Sequence, residues 1–161
     1  MKKRKAFLVV GHRHWGKSVT LKTLTDGRRS MELDGRTLSV RRMSNDDIDN
    51  DYPEKFWRFV RDLSDLYAVF AFCPKFDSDT RFVRHKLDAL TIIKKLAENY
   101  ELFYWVIKHS QNPHRRRPRE IDAATLESLQ KYGSVETFEE RDAKPEELAD
   151  GLRRFIKKSL S

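Results

Sequence analysis

The sequence of 161 residues holds a single cysteine, Cys73, which excludes an internal disulfide framework and a cysteine zinc site. It closes an apolar run, where a buried structural thiol is expected. No apolar run approaches the ~18–20 residues that a membrane-spanning helix requires, so no membrane span is expected. Met1-Lys-Lys-Arg-Lys5 leads directly into a short apolar stretch with no cleavage-site pattern behind it, and the expected location is cytoplasmic. Internal repeats and low-complexity linkers are missing as well. The length falls within the usual size of one domain, so residues 1–161 are read as a single domain.

Charge is abundant. Lys and Arg number 33 against 25 Asp and Glu, a formal net charge of +8. A basic surface gains affinity for nucleic acid by releasing counterions from phosphates, which makes nucleic acid a conceivable partner. The cations are spread over 2–5, 28–29, 41–42, 115–119 and 153–158, however, and no recognisable nucleic-acid-binding motif accompanies them.

Residues 6–25 form the stretch that organises the chain: Ala6-Phe-Leu-Val-Val10, then Gly11-His-Arg-His-Trp-Gly-Lys-Ser18, then a helix-like pattern. Gly-x-x-x-x-Gly-Lys-Ser between a buried strand and a helix is a Walker A motif in its required setting. Successive backbone N–H groups of such a loop wrap a polyphosphate, and the following helix aims its positive end at the same phosphates. Gly11, His12, Arg13, His14, Trp15, Gly16, Lys17, Ser18 and Val19 are therefore the candidate phosphate-binding residues. Lys17 is expected on the β- and γ-phosphates, and Ser18 offers a hydroxyl to Mg²⁺, which prefers hard oxygen ligands.

The rest of the chain alternates strands and helices. Strand one is expected over about 6–10 and helix one over 17–25, closed by Asp26-Gly27. Asp34-Gly35 signals a hairpin between two short alternating runs within 30–43, with Leu38, Val40 and Arg42 spaced to share one face. An acidic loop, Ser44 to Asp51, precedes an amphipathic helix opened by Pro53, with Phe56, Phe59, Val60 and Leu63 at helical spacing; Trp57 falls on another face. Residues 66–73 read as a strand buried on both faces, 80–98 as a helix and 101–107 as a strand. Lys108 to Arg119, with two prolines and no apolar residue, reads as a loop. A short helix over 121–131, a strand over 135–138 and a closing helix from Pro145 to Lys158 complete the order. The expected fold is α/β, a three-layer sandwich with a mainly parallel sheet and helices on both faces. Ligands of such sheets sit beyond the carboxyl ends of the strands.

This order resembles the Ras-like GTPase domain of the P-loop NTPase superfamily, and Gly11-His-Arg-His-Trp-Gly-Lys-Ser18 is similar to the Gly-His-x-x-His-Gly-Lys-Ser/Thr loop of translational GTPases, with Trp15 where those have His. The resemblance implies the P-loop NTPase fold, a bound nucleoside triphosphate and Mg²⁺. It also implies an Asp-x-x-Gly after the third strand and an Asn-Lys-x-Asp after the fifth. This chain reads Asn45-Asp-Asp-Ile48 and Lys108-His-Ser-Gln111 there. Without a carboxylate in the second motif guanine specificity has no visible basis, which favours ATP over GTP.

A triphosphate site needs a second anchor for the metal, usually an acid at the end of a strand beside the phosphate loop. Asp46 and Asp47 are the candidates, with Asp77 and Asp79 as rivals; the bland alternative is a solvated loop capping the Pro53 helix. Lys17, Asp46 and Asp47 are accordingly the candidate catalytic residues, and Ser18 and Asp46 the candidate metal ligands. Arg115, Arg116, Arg117 and Arg119 form the densest positive cluster and would clamp phosphates bidentately, as in the lids of nucleoside monophosphate kinases, or else form a basic docking patch. No residue evidently orients an attacking water, so hydrolysis is expected to be slow or to wait for a protein partner. The expected function is a Mg²⁺-dependent NTPase acting as a switch or with a partner. A small kinase, or a non-catalytic interaction module, are the other readings.

Overall fold

The computed structural model describes residues 4–12, 15–45, 52–76, 84, 86–111 and 120–160. Six strands form one sheet: β1 (Arg4–Val10), β2 (Ser30–Leu33), β3 (Arg36–Arg41), β4 (Tyr67–Phe72), β5 (Tyr100–Ile107) and β6 (Ser134–Phe138). Five helices accompany them among the described residues: α1 (Lys17–Thr25), α2 (Tyr52–Asp62), α3 (Ala89–Ala97), α4 (Ala123–Gln130) and α5 (Pro145–Leu160). The strand order is β2-β3-β4-β1-β5-β6, antiparallel at β2–β3 and parallel elsewhere.

The continuous apolar runs become the central strands, because a strand with neighbours on both sides and helices on both faces has no polar surface to supply. Ala6 to Val10 of β1 are fully buried, and so is nearly all of β4 and β5. Phe7 pairs in register with Val69 and Phe103. Its ring stacks on Phe103 at 5.1 Å and meets Phe155 of α5 edge-on at 6.3 Å. Side chains alternate across a strand, so Phe70 faces the opposite way, and there Phe59 of α2 meets it at 5.6 Å. Helices α2 and α5 thus cover opposite faces, and α1 packs beside α5. These contacts give the three layers.

Local signals held where the chain had to turn. Asp34 and Gly35 both take positive φ (51° and 75°), the conformation a two-residue hairpin demands. Asp26 and Gly27 close α1 in the left-handed region, with both N–H groups on the Lys22 carbonyl. Leu38 and Val40 are buried together, whereas Arg42 lies past the end of β3 and is exposed. Phe56 is buried and Phe59 partly so; Trp57 is half-buried, its ring 6.4 Å from that of Phe56. Cys73 is buried.

The helix expected over 80–98 is interrupted. Lys86 sits at φ 57°, and Asp88 caps a fresh start by accepting the Thr91 N–H at 3.2 Å, so α3 begins at Ala89. An aspartate that bonds the backbone ahead of it favours a helix start over a helix interior. Among the described residues no helix is long and apolar enough to cross a membrane.

Candidate functional site

The loop after β1 leaves the sheet at its centre. Gly11 extends the β1–β4 ladder by one bond, its N–H donating to the Phe72 carbonyl at 3.1 Å, and the chain then turns. Trp15 returns to the loop's start through its N–H, which donates to the His12 carbonyl at 3.2 Å. Its indole is buried, 1% exposed, with the His12 ring edge-on at 5.0 Å. The side chain of Trp15 therefore serves as the plug that seats the loop on the core.

Gly16 takes φ 100°, ψ 11°, a left-handed conformation open to glycine and strained for other residues, and so turns the chain into α1. Its carbonyl accepts from the Thr20 N–H at 2.9 Å and the Thr20 hydroxyl at 2.6 Å. Among the described residues no side chain caps the start of α1, and its first turn carries no acid. Lys17 is buried, 6% exposed, and its ammonium donates to the Gly11 carbonyl at 2.5 Å. A Cβ on Gly11 would stand 3.4 Å from both Lys17 Cγ and Trp15 Cβ, so the glycine lets the lysine stem cross the inside of the loop. Ser18 and Val19 are exposed in the first turn of α1. Arg13 and His14 lie outside the described residues.

Asp46, Asp47, Asp77 and Asp79 also lie outside the described residues, as do Arg115, Arg116, Arg117 and Arg119. Their surroundings are nevertheless informative. The strand that Asp46 and Asp47 follow in sequence, β3, is not the neighbour of β1, from which the Gly11–Ser18 loop leaves, because β4 stands between them. Asn45 compensates. It is fully buried, and its amide accepts the Cys73 N–H at 2.7 Å while donating to the carbonyls of Cys73 at 3.0 Å and Leu87 at 2.9 Å. Sequence alone gave no sign of this clamp, since its partners are 28 and 42 residues away.

The segment Lys108-His-Ser-Gln111 carries no acid of its own, yet the fold brings carboxylates to it. His109 bridges to Glu120 across the base of the arginine-bearing segment. Its Nδ1 lies 3.6 Å from Glu120 Oε2 and its Nε2 3.8 Å from Glu139 Oε2, with Lys108 Nζ 3.5 Å from the same Glu139 oxygen. A bond from the Thr137 hydroxyl, helped by Lys108 and His109, holds the Glu139 carboxyl below its ordinary range. Gln111 ties this corner to the approach of α5, donating to the Glu140 carbonyl at 2.8 Å and accepting the Ala143 N–H at 2.7 Å.

Beside the loop that follows β1 opens a cleft of about 530 Å³. His12 forms one wall, Pro74, Lys75 and Phe76 beyond β4 another, and Glu120, Asp122, Ala124, Thr125 and Ser128 at the start of α4 a third. Asp122 caps α4, accepting the Thr125 N–H at 2.8 Å, and hydrogen bonds from the Thr125 side chain and backbone lower its pKa. An Asp just before a helical run is a readable cap signal; that it would border a cleft is not. Among the described residues no cluster of three His, Cys, Asp or Glu side chains is placed to hold a metal. Comparison with protein-family models, with curated proteins and with solved structures yields no match.

Proposed function

We propose that the chain binds a nucleoside triphosphate with Mg²⁺ through the loop Gly11–Ser18 and hydrolyses the β–γ bond, as a switch or together with a protein partner. The observation that carries this reading is the loop's setting: it leaves the carboxyl end of a central strand whose last five residues are buried and passes through a left-handed Gly16 into a helix start with no side-chain cap among the described residues. Backbone N–H groups at such a start are suited to phosphate oxygens. The residues fit the ligand. Lys17 already lies inside the loop, where rotation of its ammonium away from the Gly11 carbonyl would bring it to β- and γ-phosphate oxygens, and the exposed Ser18 has the hydroxyl that Mg²⁺ takes. When bound, the metal supplies charge neutralisation across the β- and γ-oxygens. Asp46 and Asp47 are assigned to its second anchor and Arg115, Arg116, Arg117 and Arg119 to a phosphate clamp, in a P-loop NTPase fold working in the cytoplasm. ATP is favoured over GTP.

The cleft beside His12 favours a second reading, phosphoryl transfer. A hydroxyl held there would attack the γ-phosphorus. Its oxygen–phosphorus bond would form as the bond to the β–γ bridging oxygen breaks, the diphosphate would leave with that electron pair, and the hydroxyl proton would pass through a carboxylate such as Asp122 to water.

Thermal unfolding with Mg·ATP, Mg·GTP or neither tests nucleotide binding. At 100 times its dissociation constant a ligand stabilises by about 2.7 kcal/mol, roughly 5–11 °C for a chain of this size. Lys17→Ala should abolish the shift while remaining folded. No shift with any nucleotide in a folded wild-type sample would refute the proposal.

A further inference from the structure

The sheet ends in open strands among the described residues, β2 on one side and β6 on the other. A strand with one neighbour turns half of its main-chain N–H and C=O groups away from the sheet, and proteins protect such edges with lysine, proline or a bulge. The strand β2, Ser30-Met-Glu-Leu33, has none of these: its register with β3 is unbroken, from Ser30 opposite Ser39 to Leu33 opposite Arg36. One bond tells which of its main-chain groups are open. The Val40 N–H donates to the Arg29 carbonyl at 2.8 Å, at the next position of the same register. Bonded and non-bonded pairs alternate in an antiparallel ladder, so Met31 and Leu33 spend their main-chain groups on β3, and Ser30 and Glu32 turn theirs outward.

This edge is complementary to itself. Arg28, Ser30, Glu32 and Asp34 are exposed, with the cation at one end and the acids at the other. A second copy laid antiparallel, with the two-fold axis at Met31, sets Ser30 opposite Glu32 of the other copy and Arg28 opposite its Asp34. Each Ser30–Glu32 pair would then exchange both main-chain bonds. Moving the axis to Glu32 would put the two Glu32 carboxylates face to face, which like charges disfavour. Moving it to Ser30 would call on the Arg28 N–H, which already donates to the Thr25 carbonyl at 3.1 Å. Met31 supports the central register. It is only partly buried, on the face that carries the buried Leu33 and Leu38, and it would meet its own copy across the axis at the closer spacing of a non-bonded pair.

We propose that β2 is the contact through which two copies of this chain join their sheets edge to edge, antiparallel about Met31. No residue of the Gly11–Ser18 loop takes part, so the pairing stands or falls separately from nucleotide binding.

Sedimentation of the full chain, with amide hydrogen exchange at the same concentrations, tests it. One short strand lies at the small end of interface sizes, so the chain should be monomeric at about 1 μM and reach twice that mass near about 1 mM. On pairing, the Ser30 and Glu32 N–H groups should exchange about tenfold more slowly, while those of Met31 and Leu33, bonded to β3 in either state, should change little. Glu32→Pro removes an outward N–H and leaves the β2–β3 ladder its bonds, so the dimer should be lost. Arg28→Glu, an exposed change that reverses the charge opposite Asp34, should weaken the dimer about tenfold, and more at low salt than at high. A chain still monomeric at about 1 mM, protection that arises at β6 in place of Ser30 and Glu32, a dimer that persists in Glu32→Pro, or one unaffected by Arg28→Glu would each overturn the proposal.

Discussion

Replacing Asn45 by alanine should be among the most damaging changes outside the apolar core. Its amide has a donor facing two carbonyls, those of Cys73 and Leu87, and an acceptor facing the Cys73 N–H, an arrangement that only one orientation of the side chain satisfies. Alanine removes all three bonds, together with the longer one that Asn45 Oδ1 accepts from the Ser44 hydroxyl at 3.5 Å, at a residue with no exposed surface. The Cys73 carbonyl keeps the Lys75 N–H at 2.9 Å, so the cost falls mainly on the Cys73 N–H and the Leu87 carbonyl. A buried polar group deprived of its partner costs about 1–3 kcal/mol, which for two groups puts the loss at roughly 2–6 kcal/mol of a total of about 5–15. Urea unfolding, read as a shift in midpoint at constant slope, measures it. Asn45→Asp sharpens the test. It keeps the acceptor for the Cys73 N–H but turns a carboxylate oxygen toward two carbonyls, so at neutral pH it should be at least as unstable as the alanine variant. Those carbonyls would raise the folded pKa of the new acid above its unfolded value of about 3.9. A raised folded pKa contributes stability below the unfolded value and loses it as pH rises through the folded one. The deficit of Asn45→Asp should therefore shrink as pH falls toward 4. An alanine variant within about 0.5 kcal/mol of wild type, or an aspartate variant whose deficit ignores pH, would refute the assigned bonding, since ordinary surface changes stay within that margin.

Two further changes test the packing of β5. At Gly133 an added Cβ would overlap the Leu102 carbonyl oxygen and come 2.9 Å from both the Leu102 carbonyl carbon and Tyr104 Cε2; because backbone cannot swing aside as a side chain can, Gly133→Ala should cost about 3 kcal/mol or more, and a midpoint close to wild type in urea would contradict this close approach. The Tyr104 hydroxyl is buried with no hydrogen-bond partner among the described residues, so Tyr104→Phe should raise stability by about 1 kcal/mol at neutral pH. Burial, and then Tyr132, push the Tyr104 pKa upward; the unfolded chain releases that proton above about pH 10 while the folded one holds it, so wild type should lose stability relative to Tyr104→Phe by about 1.4 kcal/mol per pH unit there. Parallel stability curves for the two proteins above pH 10 would show that the hydroxyl is not buried.

The elements that sequence exposed were those with a local cause. Asp34-Gly35 could hardly be anything but a hairpin, Pro53 opened a helix, and the apolar run of β1 announced both a central strand and the loop beyond it. The helix expected over 80–98 failed at Lys86 and Asp88 because apolar periodicity alone does not register a left-handed residue followed by a cap. Strand order was legible only in part: β3 alternates apolar with polar residues while β4 is almost wholly apolar, which points to β4 as the more central, but no local pattern names the strand that pairs with β1. The carboxylates at the corner of β5 were out of reach on the same ground. Glu120 and Glu139 come to His109 from 11 and 30 positions away, through a bridge and a parallel strand that no local pattern encodes.

The strand order also constrains the chemistry. Since β4 flanks β1, from which the Gly11–Ser18 loop leaves, the proposed metal anchor would most directly enter from the end of β4, but that end reads Cys73-Pro-Lys-Phe76 and offers no carboxylate. Two routes remain. One continues along the same chain to Asp77 or Asp79. The other crosses from β3, and Asn45 is what makes it credible: bonded to Cys73, it stands one strand position beyond Phe72, whose carbonyl holds Gly11 at the root of the loop. Neighbouring strands are about 4.8 Å apart, so two spacings, roughly 10 Å, separate β3 from β1, with β4 between them. A fully buried amide spending three hydrogen bonds on two other segments has a structural use in any case. Its bonds to Cys73 fix the described chain before Asp46-Asp47 against the end of β4, which is the premise on which the proposed metal anchor rests.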